Sequence, residues 1–302
     1  MAYQDRKGDS FVVTPYYSGS YWTEYAKFSP SDGQDEVLTL GRAIAISGAA
    51  VDPSMRIWQS ATSTAMLTFL DLRLGYWIAN PCNNPWSGSG PSSSFWIFRE
   101  LLGWTNSKSE FVHLSDGGHF ENLGVYELIR RRVRFIMIIE AAEDKKPNSD
   151  NLANMIRLVR RDFGIRMEIN TDLLEPDDKN ICQAHSAIGT IHYEDFHADA
   201  DPGYFIFVRS SLTGDESVDI KNYASIDPDF PNNSTTDQFF DERLFECYRA
   251  LGYHIGTHVF EPASRLFLDA DSSEQTYQRC NHNFFVKLKS CEEEIRNGLG
   301  GL

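Results

Sequence analysis

The run Leu114-Ser-Asp-Gly-Gly-His-Phe-Glu-Asn-Leu-Gly124 gathers several residues able to do chemistry in one short stretch. Asp116 precedes Gly117 and Gly118, with His119 and Asn122 close behind. A carboxylate at the carboxyl end of a strand, ahead of a glycine turn and a helix, sits where α/β proteins collect ligands and catalytic groups. If partly desolvated, such a carboxylate can act as a general base, because burial raises its pKa toward neutrality. Two glycines in succession give the backbone conformational freedom and allow close approach to a neighbour. The plainer reading of Asp-Gly-Gly is an ordinary turn. His113 and His119 flank Asp116 and suggest a triad, although strand alternation explains the first and turn shaping the second. Asn122 reads as a helix-start residue that orients the Asp loop. Ser47 is a nucleophile in principle, but it reads as a small residue where a helix packs, and the sequence implies no base beside it.

Metal chemistry has weaker support. His254-Ile-Gly-Thr-His258 places two imidazoles at i,i+4, which suits zinc if the segment is helical. It lacks the Glu of His-Glu-x-x-His, and Gly256 weakens the helix. Cys182-Gln-Ala-His185 and Cys280-Asn-His282 are isolated pairs with no partner at ligand spacing. No metal is therefore expected. No phosphate-cradling or dinucleotide glycine motif is present, so no cofactor is expected either.

The elements around Asp116 are legible. Residues 110–115 read as a short strand, 116–118 as a turn, and 120–132 as a helix with Leu123, Tyr126 and Ile129 on one side. A buried strand follows over 134–141, then a helix capped at Ser149 or Asp150 and running through Arg161, ended by Gly164. Residues 165–170, 187–193 and 204–209 read as strands. This alternation is that of a layered α/β domain with right-handed crossovers. Upstream, 38–50 and 60–78 read as helices, 80–94 as a loop and 95–102 as a short helix. Downstream, 213–235 reads as an acidic loop. Residues 236–251 read as a helix capped at Ser234, Thr235 or Thr236 and stopped at Gly252, and 291–297 as a last helix.

The run around Asp116 resembles the Asp-Gly-Gly/Ala motif of patatin-like phospholipases. It is nearly identical to the Asp-Gly-Gly-His-Phe-Glu-Asn-Leu-Gly form of a bacterial subfamily. Residues 43–55, Ala-Ile-Ala-Ile-Ser-Gly-Ala-Ala-Val-Asp-Pro-Ser-Met, resemble the small-residue segment that precedes the Asp in that family. Residues 237–242 and 245–252 resemble the subfamily's downstream region. The matches follow the family's order over roughly residues 10–255. The resemblance implies a three-layer α/β/α sandwich and a serine acyl hydrolase acting on lipids or esters through a Ser–Asp dyad. Asp116 would be the dyad acid, with Gly117, Gly118 and Asn122 supporting the motif.

The chain departs from the family in one respect: it contains no Gly-x-Ser-x-Gly. Ser87-Gly-Ser-Gly90 comes nearest but lacks the spacing. In the family the nucleophile elbow and the oxyanion loop lie upstream of the matched region. The resemblance therefore implies an N-terminally incomplete catalytic domain over 1–212, the acidic loop over 213–235, and a helical extension over 236–302. The missing N-terminal half would be a partner, and the chain alone would be inactive. A degenerate module that binds lipid or a protein partner is the alternative.

Composition bounds these readings. The 302 residues carry 28 Lys+Arg against 43 Asp+Glu, a formal net charge of −15. That balance opposes duplex nucleic-acid binding, which needs a basic face to displace counterions. A chain this long buries roughly 75% of its unfolded surface and needs no disulfide or metal to fold. Its five cysteines are scattered without Cys-x-x-Cys, as in a reducing compartment. With no signal peptide and no apolar run near the ~20 residues of a span, the chain as given reads as cytoplasmic. Arg130, Arg131, Arg132 and Arg134, with Arg157, Arg160 and Arg161, form two basic clusters. They read as solvated helix ends, or as contacts for anionic headgroups at a membrane surface or for the missing half.

Overall fold

Two strands in the chain's second half, over 135–140 and 203–209, form from runs that are apolar on both faces. A computed structural model describes residues 8–27, 38–48, 75–82, 106–143, 149–234, 239–264 and 274–297. The protein is α/β, with helices and sheets interleaved. It divides into two compact units, Met1–Asn122 and Leu123–Leu302. The expected helix over 95–102, the Ser87–Gly90 loop and most of the expected helix over 60–78 lie outside the described residues. So do Thr235, Thr236 and Asp237.

The first unit holds a three-stranded antiparallel sheet, β1 (Val12–Val13), β2 (Tyr17–Ser20) and β3 (Glu24–Lys27). Helix α1 (Leu40–Ser47) is capped by Thr39, whose hydroxyl accepts from the Arg42 N–H at 3.1 Å. Strands β4 (Tyr76–Ala79) and β5 (Phe111–Leu114) form a two-stranded antiparallel sheet. Leu38, Ile46, Ile78 and Leu114 make a small core for this unit. Residues 76–78, which helical spacing assigns to a helix, are thus a strand. Their aromatic and β-branched side chains suit a pleated pair.

The second unit is built on a four-stranded sheet of order β6-β9-β8-β7. These are Phe135–Glu140, Gly203–Arg209, Ser186–His192 and Arg166–Glu168 for β6, β9, β8 and β7 respectively. β6 runs parallel to β9, whereas β8 is antiparallel to both β9 and β7. Sequence spacing predicts one strand–helix–strand–helix–strand series. Among the described residues, however, β5 pairs only with β4, and the sheet is mixed. A short 3₁₀ turn at Tyr193–Asp195 returns β8 toward β9, and a return that brief favours an antiparallel pair.

Helices α2 (Tyr126–Arg130) and α3 (Asp150–Phe163) cover one face of this sheet. Val125, Ile129, Leu152, Met155 and Val159 pack there against Ile136, Ile138, Ala187, Ile191, Phe205 and Phe207. Gly164 ends α3 with φ +69°, the left-handed conformation that glycine adopts without strain. Helix α2 is shorter than the predicted 120–132 span. Residues 117–119 form a 3₁₀ turn, and the α-helix begins only at Tyr126.

Helices α4 (Val218–Ile226), α5 (Glu242–Ser264) and α6 (Glu274–Arg296) belong to the other face. Their residues Ile220, Leu244, Leu251, Ile255, Phe285 and Leu288 share a core with Ile188, Ile206 and Val208. Glu292 of α6 accepts the Ile188 N–H at 2.9 Å and is held by Arg296 at 3.0 Å. The segment read as a C-terminal extension therefore supplies the sheet's second helical layer. Residues 213–235 are not wholly loop, because α4 buries Ile220 and Tyr223 packs against Phe230. Helix α5 is capped by Asp241, which accepts from the Leu244 N–H at 2.7 Å. It runs through Gly252 and Gly256, since the apolar stripe Leu244, Leu251, Ile255, Val259 outweighs about 1 kcal/mol lost per glycine. No helix among the described residues is long and apolar enough to cross a membrane.

Three outcomes follow from this packing. Gly252 is exposed in mid-helix with room for a methyl group, so Gly252→Ala should raise stability by about 0.5–1 kcal/mol in urea unfolding. Phe205→Ala, at a fully buried site, should cost about 3–5 kcal/mol in the same measurement. Cys182 is buried, its thiol donates to the Leu174 carbonyl at 3.2 Å, and burial pushes its pKa up to about 11. Its thiolate fraction at pH 8 should be about 100-fold below that of an ordinary thiol. Iodoacetamide should then label the exposed Cys82 well before Cys182, as read by peptide mass spectrometry.

Candidate functional site

Asp116 lies two residues beyond Leu114, the last residue of β5, on the carboxyl side of the strand, as the residue types predict. It is half-buried and caps the 3₁₀ turn Gly117–His119, its Oδ1 accepting the Gly118 N–H at 2.5 Å. The Gly117 carbonyl then accepts both the Phe120 and Glu121 N–H groups at 2.9 Å. The two glycines differ in what they do. Neither has a positive φ, so unusual backbone geometry is not the reason for either. A Cβ on Gly118 would lie 2.4 Å from Asn122 Oδ1 and 3.0 Å from Asp116 Oδ1, whereas one on Gly117 would meet nothing. Close approach therefore requires glycine at 118 only. Asn122 lies over this turn and not at a helix start, because α2 begins four residues later.

The other candidates near Asp116 are placed by their elements. His113 sits on β5 opposite Trp77, with ring centroids 5.2 Å apart, as strand alternation predicts. His119 is the last residue of the 3₁₀ turn. Ser47 is exposed in the last turn of α1, next to the buried Ile46. It is thus not at a packed helix–sheet contact.

The second unit holds a separate constellation that local sequence patterns leave scattered. His185 (just before β8), Asp215 (in the loop from β9 to α4), and His254 and His258 (on α5) each bring one donor atom to a common point. These four atoms all lie within 4.8 Å of one another. Asp215 Oδ1 is 3.3 Å from His254 Nε2, and Asp215 Oδ2 is 3.4 Å from His258 Nδ1. The two helix imidazoles lie 4.1 Å apart, centroid to centroid, and the His185 ring meets His254 edge-on at 5.5 Å.

The surroundings orient each donor. His185 is 4% exposed. Its Nδ1 lies 2.9 Å from Ser211 Oγ, which in turn donates to the Arg209 carbonyl at 3.4 Å. Its Nε2 lies 3.1 Å from Thr213 Oγ1. The Thr213 hydroxyl donates to Asp215. Buried Glu216 folds the loop by accepting the Thr213 and Gly214 N–H groups. Burial, reinforced by the neighbouring His254, lowers the His185 pKa to about 4, so its imidazole is neutral at pH 7. Burial alone would raise the Asp215 carboxyl, but the Thr213 hydroxyl and the two helix imidazoles outweigh it and hold the pKa below the usual range. A cleft of about 300 Å³, bounded by Ser217, Ala250, Tyr253 and Thr257, opens beside His254 and His258.

The sequence shows the His254–His258 spacing and, separately, the Cys182–His185 pair, but does not join them. Gly256 does not break α5, so the i,i+4 geometry holds. His185, apparently confined to a pair with Cys182, instead joins the helix histidines, while the Cys182 thiol faces the Leu174 carbonyl. Asp215 falls in the stretch read as a loop, and no local pattern marks it. His282 lies on α6 near Tyr204, with ring centroids 5.7 Å apart, and is not among the four.

The basic clusters sit largely at helix ends. Arg130 and Arg131 both pair with Glu127, Arg134 pairs with Asp201 at 3.1 Å, and Arg132 covers the Phe196 ring. Arg160 and Arg161 occupy the last turn of α3, where cations suit the exposed carbonyls. No family model matches this chain, and no curated protein or solved structure matches it.

Proposed function

We propose that this chain is part of a patatin-like lipid acyl hydrolase, in which Asp116 serves as the acid of a Ser–Asp dyad. The observation that carries the reading is the ordered turn at Asp116. The motif that resembles the family is folded with its carboxylate anchored on the Gly118 N–H, and Gly118 has no room for a side chain. A base must be held still to take a proton in the transition state, and this anchor restricts the Asp116 side chain. With Oδ1 tied to the turn, Oδ2 is the oxygen assigned to the serine proton. Lipid or simple esters are the substrate class, and a membrane surface is where such substrates would be met. The missing N-terminal half of the domain would supply the nucleophile and the oxyanion donors, whose N–H groups stabilise the tetrahedral intermediate. The alternative is a non-catalytic module that binds lipid or a protein partner. The absence of Gly-x-Ser-x-Gly from all 302 residues favours it.

The 302-residue chain should not hydrolyse p-nitrophenyl butyrate or take up a fluorophosphonate probe. The deciding measurement joins it to whatever coding sequence lies in frame upstream of Met1. A Gly-x-Ser-x-Gly there, with esterase activity that Asp116→Asn lowers about 10²–10⁴-fold in kcat, is the expected result. Activity that Asp116→Asn leaves intact would refute the dyad role. An upstream sequence with no nucleophile would favour the module.

A further inference from the structure

We propose that His185, Asp215, His254 and His258 bind one zinc ion, which ties helix α5 to the end of the sheet. This inference is independent of the acyl-hydrolase reading, since none of its residues belongs to the Asp116 turn. Three imidazoles and a carboxylate are a donor set that suits zinc, and four protein donors close a tetrahedral shell, as in structural sites. Two ligands each about 2.0–2.1 Å from a tetrahedral ion lie about 3.3 Å apart. Asp215 Oδ1 lies 3.3 Å from His254 Nε2 and Oδ2 lies 3.4 Å from His258 Nδ1, so each carboxylate oxygen stands at a ligand–ligand separation from one helix imidazole.

The competing explanation is a metal-free ion-pair cluster in which protonated histidines surround Asp215. One feature opposes it. His254 Nε2 is buried and makes no hydrogen bond, although Asp215 Oδ1 is only 3.3 Å away, because the alignment is wrong for N–H···O. A lone pair directed at a shared ion accounts for both the proximity and the misalignment.

The outer shell is also that of a metal site. Zinc-bound histidines commonly donate their second N–H to an oxygen that fixes the ring. His185 Nδ1 lies 2.9 Å from Ser211 Oγ, which donates to the Arg209 carbonyl, so the tautomer with its proton on Nδ1 has such a partner. The cleft beside His254 and His258 provides a route of entry.

The test uses the whole 302-residue chain, stripped with chelator and then titrated with Zn(II) and, separately, Co(II). One equivalent of zinc should bind and raise the melting temperature by mass action. Co(II) should give the visible absorption of a tetrahedral site without the near-ultraviolet thiolate band that the cysteines would produce. His254→Gln and His258→Gln should each abolish stoichiometric binding, while His197→Gln, at an exposed residue outside the cluster, should not. Ser211→Ala should weaken zinc about 10–100-fold. Binding below one equivalent, a thiolate or octahedral Co(II) spectrum, or binding unchanged in His254→Gln would overturn the proposal. If the histidine variants fail to fold by circular dichroism, the wild-type Co(II) spectrum and the Ser211→Ala affinity decide it on the same criteria.

Discussion

Strand β9 is apolar on both faces, and the second unit is organised around that fact. Phe205 and Phe207 point into one core, while Ile206 and Val208 point into the other, and all four are essentially inaccessible. Burying each such side chain stabilises by about 1.5–3 kcal/mol, so no register slip that exposes one face is tolerable. The neighbours accommodate this strand. Gly189 on β8 faces Phe205, and a Cβ there would fall 2.2 Å from the ring. β6 pairs with it in parallel and completes the first core through Ile136 and Ile138.

The position of the histidine cluster follows from the same packing. Helix α5 must turn Leu251, Ile255 and Val259 toward Ile206 and Val208. That rotation places His254 and His258 one residue before each of the last two, on the flank of the buried stripe, where they meet His185 and Asp215. β8 starts just after His185, and the loop carrying Ser211, Thr213 and Asp215 leaves the end of β9. Because β8 and β9 are antiparallel, the start of one and the end of the other lie at the same edge of the sheet. The four donors therefore converge because the two strands and the helix are each fixed by their own apolar contacts. The polar groups around them only fine-tune that arrangement.

The Asp116 turn works on a different scale. Its geometry is set by a few adjacent residues: a side-chain acceptor, a glycine that must be glycine, and an amide lying over it. It could be anticipated from eleven consecutive letters. What it does chemically depends on groups brought to it from elsewhere, and those are not encoded in the turn.

The sequence by itself determined the α/β class, strands over about 134–141, 187–193 and 204–209, a helix running through Arg161 with its glycine stop, and Asp116 near a strand end. Each of these rests on short-range periodicity or capping. Tertiary structure decided the rest. Residues 76–79 became a strand because β5 was available to pair, a contact that no local window contains. Gly252 and Gly256 stayed helical because burial of the α5 stripe exceeds their intrinsic cost. The mixed sheet order and the convergence of His185 and Asp215 on the α5 histidines come from contacts between segments far apart in the chain. Spacing along a sequence can reveal two ligands on one helix, but the other two are brought into reach only when the sheet and its second helical layer are assembled.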